Sequence, residues 1–224
     1  MADDRNLKYF GMITGFFVAV LLISNIASTK IVDFFGFIFD GGTLLFPLAY
    51  IFGDVLTEVY GYKRARRVIW TGFVSAAVMS IVFMAIGAMA PAPGWENQAA
   101  YDAILGVLPR IVLASLIAYF AGEFSNSYIL AKMKIAQRGK QLWKRTIGST
   151  IVGEGIDTLL FATIAFWGVL PFEIFIMLII SNYIFKVGIE VLFTPITYKV
   201  VGFLKKAEHE DVYDTGTDFS PFRL

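Results

Sequence analysis

Six apolar runs of about 20 residues each occupy most of this chain, and they leave few folds open to it. They fall at 9–29, 43–61, 67–90, 104–131, 146–169 and 173–203. Each is long enough to cross the hydrocarbon of a bilayer as a helix, which satisfies its own backbone hydrogen bonds there. The residues are 57% hydrophobic and 17% charged, with a mean hydropathy of +0.68. A soluble domain carries about 25% charge. The expected fold is therefore all-α: a polytopic membrane protein with six transmembrane helices. It forms a single domain over 1–224, and residues 204–224 make a polar tail. The start, MADDRNLK, is too acidic and polar for a signal peptide, so the first run is expected to stay as a membrane helix.

Positive charge alternates sharply between the connections. Lys63, Arg64, Arg66 and Arg67 precede the third run, and Lys132, Lys134, Arg138, Lys140, Lys144 and Arg145 precede the fifth. The stretch from Pro91 to Asp102 and the turn around Pro171 have none. Arg5 and Lys8 lie in the N-terminal tail, and Lys205, Lys206 and Arg223 in the C-terminal one. The positive-inside rule places both termini and both basic loops in the cytoplasm. These cations serve topology, so the net charge of +1 gives no reason to expect a nucleic-acid partner; the bilayer is the partner. Trp70, Trp143 and Trp167 sit near predicted span ends, as amphipathic rings do. Gly11 and Gly15 form a GxxxG pair, read as ordinary packing within the chain. Pro47, Pro109 and Pro195 mark places where a helix can kink or break.

The chemistry must come from polar groups inside the spans. These are Ser24, Asn25 and Lys30 on the first; Asp54 and Glu58 on the second; Arg110, Glu123 and Asn126 on the fourth; Glu154 and Asp157 on the fifth; and Asn182, Lys186 and Glu190 on the sixth. A charge at the bilayer centre costs roughly 2.5–3.5 kcal/mol on insertion scales. Asp54, Glu123, Glu154, Asp157 and Lys186 lie near the midplane, so unpaired they would cost on the order of 12–17 kcal/mol. They must converge on each other or on a wet cavity. The surplus of acids implies that at least one is protonated at rest. The bland alternative is a set of buried ion pairs, such as Lys186 with Asp157, that only hold helices in register.

Several function classes drop out. There is no cysteine, and the single histidine, His209, lies in the tail, which removes thiolate and imidazole chemistry and leaves no metal site or cofactor to expect. An aspartyl dyad of Asp54 and Asp157 is the one enzyme chemistry left, and no protease signature brackets both. A channel needs a ring of like charge, whereas these charges are mixed in sign and spread over several helices. A transporter for a small polar molecule fits best. A Gly-acid dipeptide recurs at Gly53-Asp54, Gly122-Glu123 and Gly153-Glu154, though little else aligns as a repeat.

Longer stretches carry a resemblance. FPLAY…GDVLTEVYGYKRARR from Phe46, Ser24-Asn25 through Lys30, GEFSNSYILAKMK from Gly122, GEGIDTLLF from Gly153 and the ending EDVYDTGTDFSPF from Glu210 are similar to the queuosine-precursor transporters, also known as vitamin uptake transporters. The resemblance covers nearly the whole chain in one order. It implies uptake of the nucleobases 7-cyano-7-deazaguanine and 7-aminomethyl-7-deazaguanine across the bacterial inner membrane, for queuosine in tRNA. It also implies that the acidic tail, which composition alone reads as disordered, caps the cytoplasmic side.

Such a base presents a ring N–H and an exocyclic NH₂, two parallel donors that one carboxylate can accept together. Asp54, Glu154 and Asp157 are the expected acceptors, tuned by Glu58 or Glu123. Asn25, Asn182 or Lys186 would donate to the carbonyl, and Phe46 or Tyr50 would stack on the flat face, with Tyr183 a further candidate. The alternative is a substrate-binding subunit of an energy-coupling-factor vitamin importer, since such subunits are also small six-span proteins. The sequence leaves monomer and homodimer both open.

Overall fold

The computed structural model describes residues 7–222, so Arg5 and Arg223, two of the tail cations, lie outside it. Helix α1, Phe10–Ala27, leads into a β-hairpin of β1, Ile31–Phe34, and β2, Phe37–Asp40. A 3₁₀ turn, Gly41–Leu44, then feeds α2, Phe46–Tyr60. The rest is helical: α3, Tyr62–Gly87; α4, Gln98–Leu105; α5, Leu108–Ala136; α6, Leu142–Phe166; and α7, Phe172–Glu208. Five segments are long and apolar enough to cross a membrane: α1, α3, α4 with α5, α6 and α7. The protein is a polytopic membrane protein.

The second expected span differs most. Its α-helix has 15 residues, about 22 Å at 1.5 Å per residue, against a hydrocarbon thickness of about 30 Å. The 3₁₀ turn replaces the first residues of the expected span and the hairpin stands just before it, neither of which the hydropathy pattern revealed. Gly41 and Gly42 explain the break, because they leave the chain free to approach the end of α1 closely. A side chain on Gly42 would meet Ser24 O at 2.5 Å. The hairpin closes through Phe35 and Gly36, both at positive φ (54° and 84°), and Phe34 pairs with Phe37. Its second strand lies on α7, where Phe39 stacks on Phe185 with ring centroids 5.6 Å apart. Shortened in this way, α2 runs through the middle of the bundle. All but three of its residues are buried, the exceptions being Leu48, Ile51 and Phe52.

Two of the three flagged prolines start helices instead of kinking them. Pro47 and Pro109 stand in the first turns of α2 and α5, where a missing N–H costs nothing, and only Pro195 lies inside a helix. Helices α5 and α6 make the tightest crossing. A Cβ on Gly122 would stand 2.8 Å from Gly153 O, and one on Gly153 would stand 2.9 Å from Gly122 O. Gly11 and Gly15 behave differently. A Cβ on either meets nothing within 4 Å, so their spacing does not serve packing within the chain. Outward-facing positions of α3, such as Val74, Val78 and Ile81, are exposed, as a lipid-facing helix requires.

At the basic end of the bundle the tail is ordered. Asp214 accepts from Tyr62 N at 3.0 Å and so caps the start of α3. Arg66 donates to the carbonyls of Asp218 and Ser220, and Trp70 Nε1 donates to Pro221 O at 2.8 Å. Lys132 lies over the Phe219 ring at 4.5 Å, and Phe222 packs on Phe120. Arg66 is buried and Arg64 pairs with Glu210, so the basic cluster after α2 clamps the tail as well as carrying topological charge.

Candidate functional site

The acids of α2, α5, α6 and α7 converge inside the bundle. Helical spacing puts Tyr50, Asp54 and Glu58 on one face of α2, and Asn182, Lys186 and Glu190 on one face of α7. Helices α2 and α7 pack together, so the two rows of polar groups run side by side. On α6, Glu154 and Asp157 share a face, three residues apart.

Lys186 is the cationic centre. Its Nζ lies 2.7 Å from Asp157 and 3.0 Å from Glu154, and it stands over the Phe46 ring at 5.2 Å. All three charged groups are buried. Two carboxylates therefore share one ammonium, which leaves the triad one negative charge in excess if both are ionised. Tyr50 stands beside it. A Cβ on Gly122 would be 2.6 Å from the Tyr50 hydroxyl and 2.7 Å from Asp157 Cβ, which places both groups against the same bare patch of α5. Tyr50 meets Tyr119 edge to face at 5.5 Å.

Asp54 and Glu123 lie in the same core without a cation. Asn126 Nδ2 donates to Asp54 Oδ1 at 2.7 Å, and Ser127 Oγ donates to Glu123 Oε1 at 3.3 Å. Gly53 makes room for Glu123, since a Cβ there would collide with its carboxylate. Several buried polar atoms nearby have no hydrogen-bond partner among the described residues: Asp54 Oδ2, Asn126 Oδ1 and the Tyr50 hydroxyl. Buried groups of this kind are normally satisfied, so the set has the character of a polar binding surface. Among the described residues no group of three or more His, Cys, Asp or Glu is placed to hold a metal ion.

Glu58 belongs to a different cluster, toward the basic end. Arg145 grips it with two hydrogen bonds of 2.8 Å, Lys205 reaches it at 2.6 Å, and Lys134 Nζ stands 3.6 Å away. Lys134 also donates to the Glu58 carbonyl, to Asp211 and to Val212 O, which ties α5 to α2 and the tail. Asp211 lies outside the membrane spans. Burial opposes its ionisation, but hydrogen bonds from Lys134 and Lys205 outweigh that and hold its carboxyl below the ordinary value.

Asn182 is also apart from the triad, one turn beyond Lys186 toward the hairpin. Its amide donates to Asp40 Oδ2 at 3.1 Å, and its carbonyl oxygen accepts from Thr43 at 3.0 Å. Ser28 and Gly42 also donate to Asp40, and the single Thr43 proton is shared between Asp40 and Asn182, so this buried carboxylate pins the hairpin, the 3₁₀ turn and α7 together. Asn25 donates back to Leu21 O at 2.8 Å, and its Oδ1 is buried without a partner among the described residues. Lys30 is exposed in the turn after α1, and Arg110 is exposed where it caps the carbonyls of Ile164 and Trp167. Tyr183 is on the rim, donating to Ile151 O.

Of the sequence-derived set, Phe46, Tyr50, Asp54, Glu123, Glu154, Asp157 and Lys186 come together. Glu58, Asn182 and Asn25 stand at the edges of that core. Sequence reasoning missed Tyr119, Asp40 and Arg145. The charge pattern assigns Arg145 to a basic loop, yet it is buried within α6. A signal for Tyr119 was available: Ala49-Tyr50-Ile51-Phe52-Gly53-Asp54 is matched by Ala118-Tyr119-Phe120-Ala121-Gly122-Glu123. In both, a tyrosine precedes an acid by four residues, with glycine just before the acid.

Comparison with known proteins gives a consistent picture. The family model described as "Putative vitamin uptake transporter" matches residues 40–200, which hold every candidate site residue except Asn25. The chain is 30% identical over 195 residues to the "Probable queuosine precursor transporter" of Bacillus subtilis (strain 168), covering 85% of each protein. It is 27% identical over 203 residues to the "Queuosine precursor transporter" of Escherichia coli (strain K12), covering 89% of each. A "Probable queuosine precursor transporter" of Haemophilus influenzae is 27% identical over 170 residues, 75% of this chain and 70% of that one. No solved structure matches the chain.

Proposed function

The chain belongs to the vitamin uptake transporter family, and from that premise we propose that it imports the queuosine precursors 7-cyano-7-deazaguanine and 7-aminomethyl-7-deazaguanine across the bacterial inner membrane. In this reading α2, completed by the hairpin and 3₁₀ turn, counts as the sixth crossing, and both termini face the cytoplasm with the basic loops. The names of the relatives supply the substrate class.

One observation in the structure carries the site assignment. The buried carboxylates of Glu154 and Asp157 on α6 meet at Lys186, with Asp54 and Glu123 in the same core and Tyr50 beside Asp157, its hydroxyl without a hydrogen-bond partner among the described residues. A guanine-like base brings what this surface lacks. Its ring N–H and exocyclic NH₂ would donate as a pair to a carboxylate of Asp54, Glu154 or Asp157, with Glu123 beside them. Lys186 would turn from Asp157 or Glu154 toward the base carbonyl, freeing a carboxylate as it does so. Phe46 supplies an aromatic face against the ammonium, and Tyr50 a second ring beside Asp157. Glu58 and Asn182 act from a distance, the first by anchoring α2 to the basic end and the second by anchoring the hairpin to α7.

The test is uptake in a bacterial host unable to make its own deazaguanine. The chain restores queuosine in tRNA from low external precursor, and Asp157→Asn abolishes this while the protein still reaches the membrane. Full uptake by Asp54→Asn, Glu154→Gln and Asp157→Asn alike would sink the site assignment.

A further inference from the structure

The tail engages only half of the basic cluster at the start of α3. Arg64 pairs with Glu210, and Arg66 holds the carbonyls of Asp218 and Ser220. Lys63 and Arg67 stand one turn apart on a single face of the helix, both exposed and without a carboxylate partner among the described residues. Thr71 and Ser75 continue that face toward the middle of the bundle. Their hydroxyls are spent on their own helix, Thr71 donating to Arg67 O at 2.9 Å and Ser75 to Thr71 O at 2.8 Å. The Arg67 guanidinium is left as the donor available to a ligand here.

Arg67 also stands at the mouth of a groove. A recess of about 470 Å³ is lined by Arg67, Trp70, Thr71, Val74 and Ser75. It shares Trp70 and Val74 with an apolar groove of about 400 Å³ between α3 and α5, walled by Phe73, Ala77, Ile117 and Phe120. The two form one continuous surface with its charge at one end. Ten helical residues separate Ala77 from Arg67, about 15 Å at 1.5 Å per residue, which is half of a hydrocarbon thickness of about 30 Å. The surface therefore runs the depth of one leaflet, from the basic end toward the midplane. A groove of about 570 Å³ between the hairpin and α7 has the opposite character, with Glu173 in its wall.

We propose that this surface binds one anionic phospholipid, its phosphate held by Arg67 and Lys63 and one acyl chain lying in the α3–α5 groove. A guanidinium fork matches phosphate oxygens in pairs, and Lys63 adds a second positive charge one turn farther along the basic end. A zwitterionic lipid would bring its own cation against these two. A soluble phosphate would leave the groove unfilled. The end of the tail rests on rings of the same groove, Phe222 meeting Phe120 at 5.5 Å and Trp70 at 6.3 Å between centroids. A bound lipid thus buttresses the seat of the tail. The site is separate from the polar core and stands whether or not the import reading does.

Native mass spectrometry of the full chain, purified in detergent, provides the test, with phosphatidylglycerol and phosphatidylcholine of the same acyl chains added at equal concentration. A cation at a membrane surface is worth about fivefold in affinity for anionic lipid. The wild type is expected to retain one phosphatidylglycerol in preference to phosphatidylcholine, Arg67→Gln to cut that preference about fivefold, and Lys63→Gln together with Arg67→Gln to remove it. Val74→Trp fills the groove at an exposed position while leaving both cations, and it lowers retention of phosphatidylglycerol. Lys140→Gln together with Lys144→Gln takes the same charge from the other basic loop, also at exposed positions, and keeps the preference. Equal retention of the two lipids by the wild type overturns the proposal. So does an equal loss in the two double variants, which would mean diffuse attraction, or retention untouched by Val74→Trp. Displacement of the lipid by glycerol 3-phosphate at equal concentration would mean a site for free phosphate and overturns it too.

Discussion

Glu58 gathers Arg145, Lys134 and Lys205 around one buried carboxylate, so its removal leaves Arg145 without a carboxylate and Lys134 and Lys205 with Asp211 alone. Breaking a buried pair by deleting one partner costs about 3–5 kcal/mol, and Glu58→Gln is expected to lower the melting temperature in detergent more than any acid substitution at Lys186. Asp157→Asn should behave in the opposite sense, because Lys186 keeps Glu154 at 3.0 Å. That variant stays folded and loses transport, so thermal stability and uptake measured side by side separate the two roles. Gly122→Ala tests packing at the same scale. Its new methyl would press on Tyr50, Asp157 and Gly153 O at 2.6–2.8 Å, and overpacking of that kind costs about 1–3 kcal/mol. An undiminished melting temperature for Gly122→Ala would contradict the described α5–α6 crossing.

At the scale of elements, the tail works as a strap across the basic ends of α2, α3 and α5. Gly61 lets it close. This residue joins α2 to α3 at φ 82°, and a side chain there would run into Val212 at 2.6 Å. Asp214→Ala removes the cap on Tyr62 N and should cost about 1 kcal/mol, read as a lower melting temperature. Asp211 gives a pH signature. Its carboxyl is held below the ordinary value when folded, so its contribution is complete above the unfolded value of about 3.9 and fades as pH falls through the lower folded one. The stability gap between wild type and Asp211→Asn should be flat from pH 8 to about 5 and narrow only below about 4. A gap that grows on acidification would contradict the pairing with Lys134 and Lys205. The recurring Gly-acid dipeptide also finds its meaning at this scale. Gly53 faces Glu123, and Gly122 faces Tyr50, so the Tyr-x-x-Gly-acid segments of α2 and α5 meet reciprocally.

For the whole molecule, the acids sort into sets by depth along the bundle. The Glu58 cluster, with its surplus of cations, closes the basic end together with the tail. The Lys186 triad, with Asp54 and Glu123 in the same core, lies between the two ends and holds more carboxyl groups than cations. The Asp40 cluster binds the hairpin to α7 beyond it. A transporter needs this arrangement of a polar centre between two closures. Loosening either closure should therefore change transport without touching the site. Asp40→Asn is expected to slow uptake while leaving binding of a deazaguanine to purified protein within a few-fold of wild type. Equal loss of both would place Asp40 in the binding surface itself.

Hydropathy alone determined that this is a polytopic membrane protein, because a run of about 20 apolar residues has few other stable states. Counting charges along those runs also found the acids of the core, since each is too expensive to leave facing lipid. What the sequence could not assign was partnership. Glu58 and Asp54 are one turn apart on the same helix, yet Arg145, Lys134 and Lys205 surround the first, and the Asn126 amide attends the second. That difference depends on which residues α5, α6, α7 and the tail bring to each level, from positions as far as 147 residues along the chain. The hairpin was hidden for a related reason. Its strands, IVDF and FIFD, are too short for periodicity to separate from a helix end, and only packing on α7 fixes them as strands. Burial cost is local and can be read from sequence; the identity of the compensating partner is a tertiary fact.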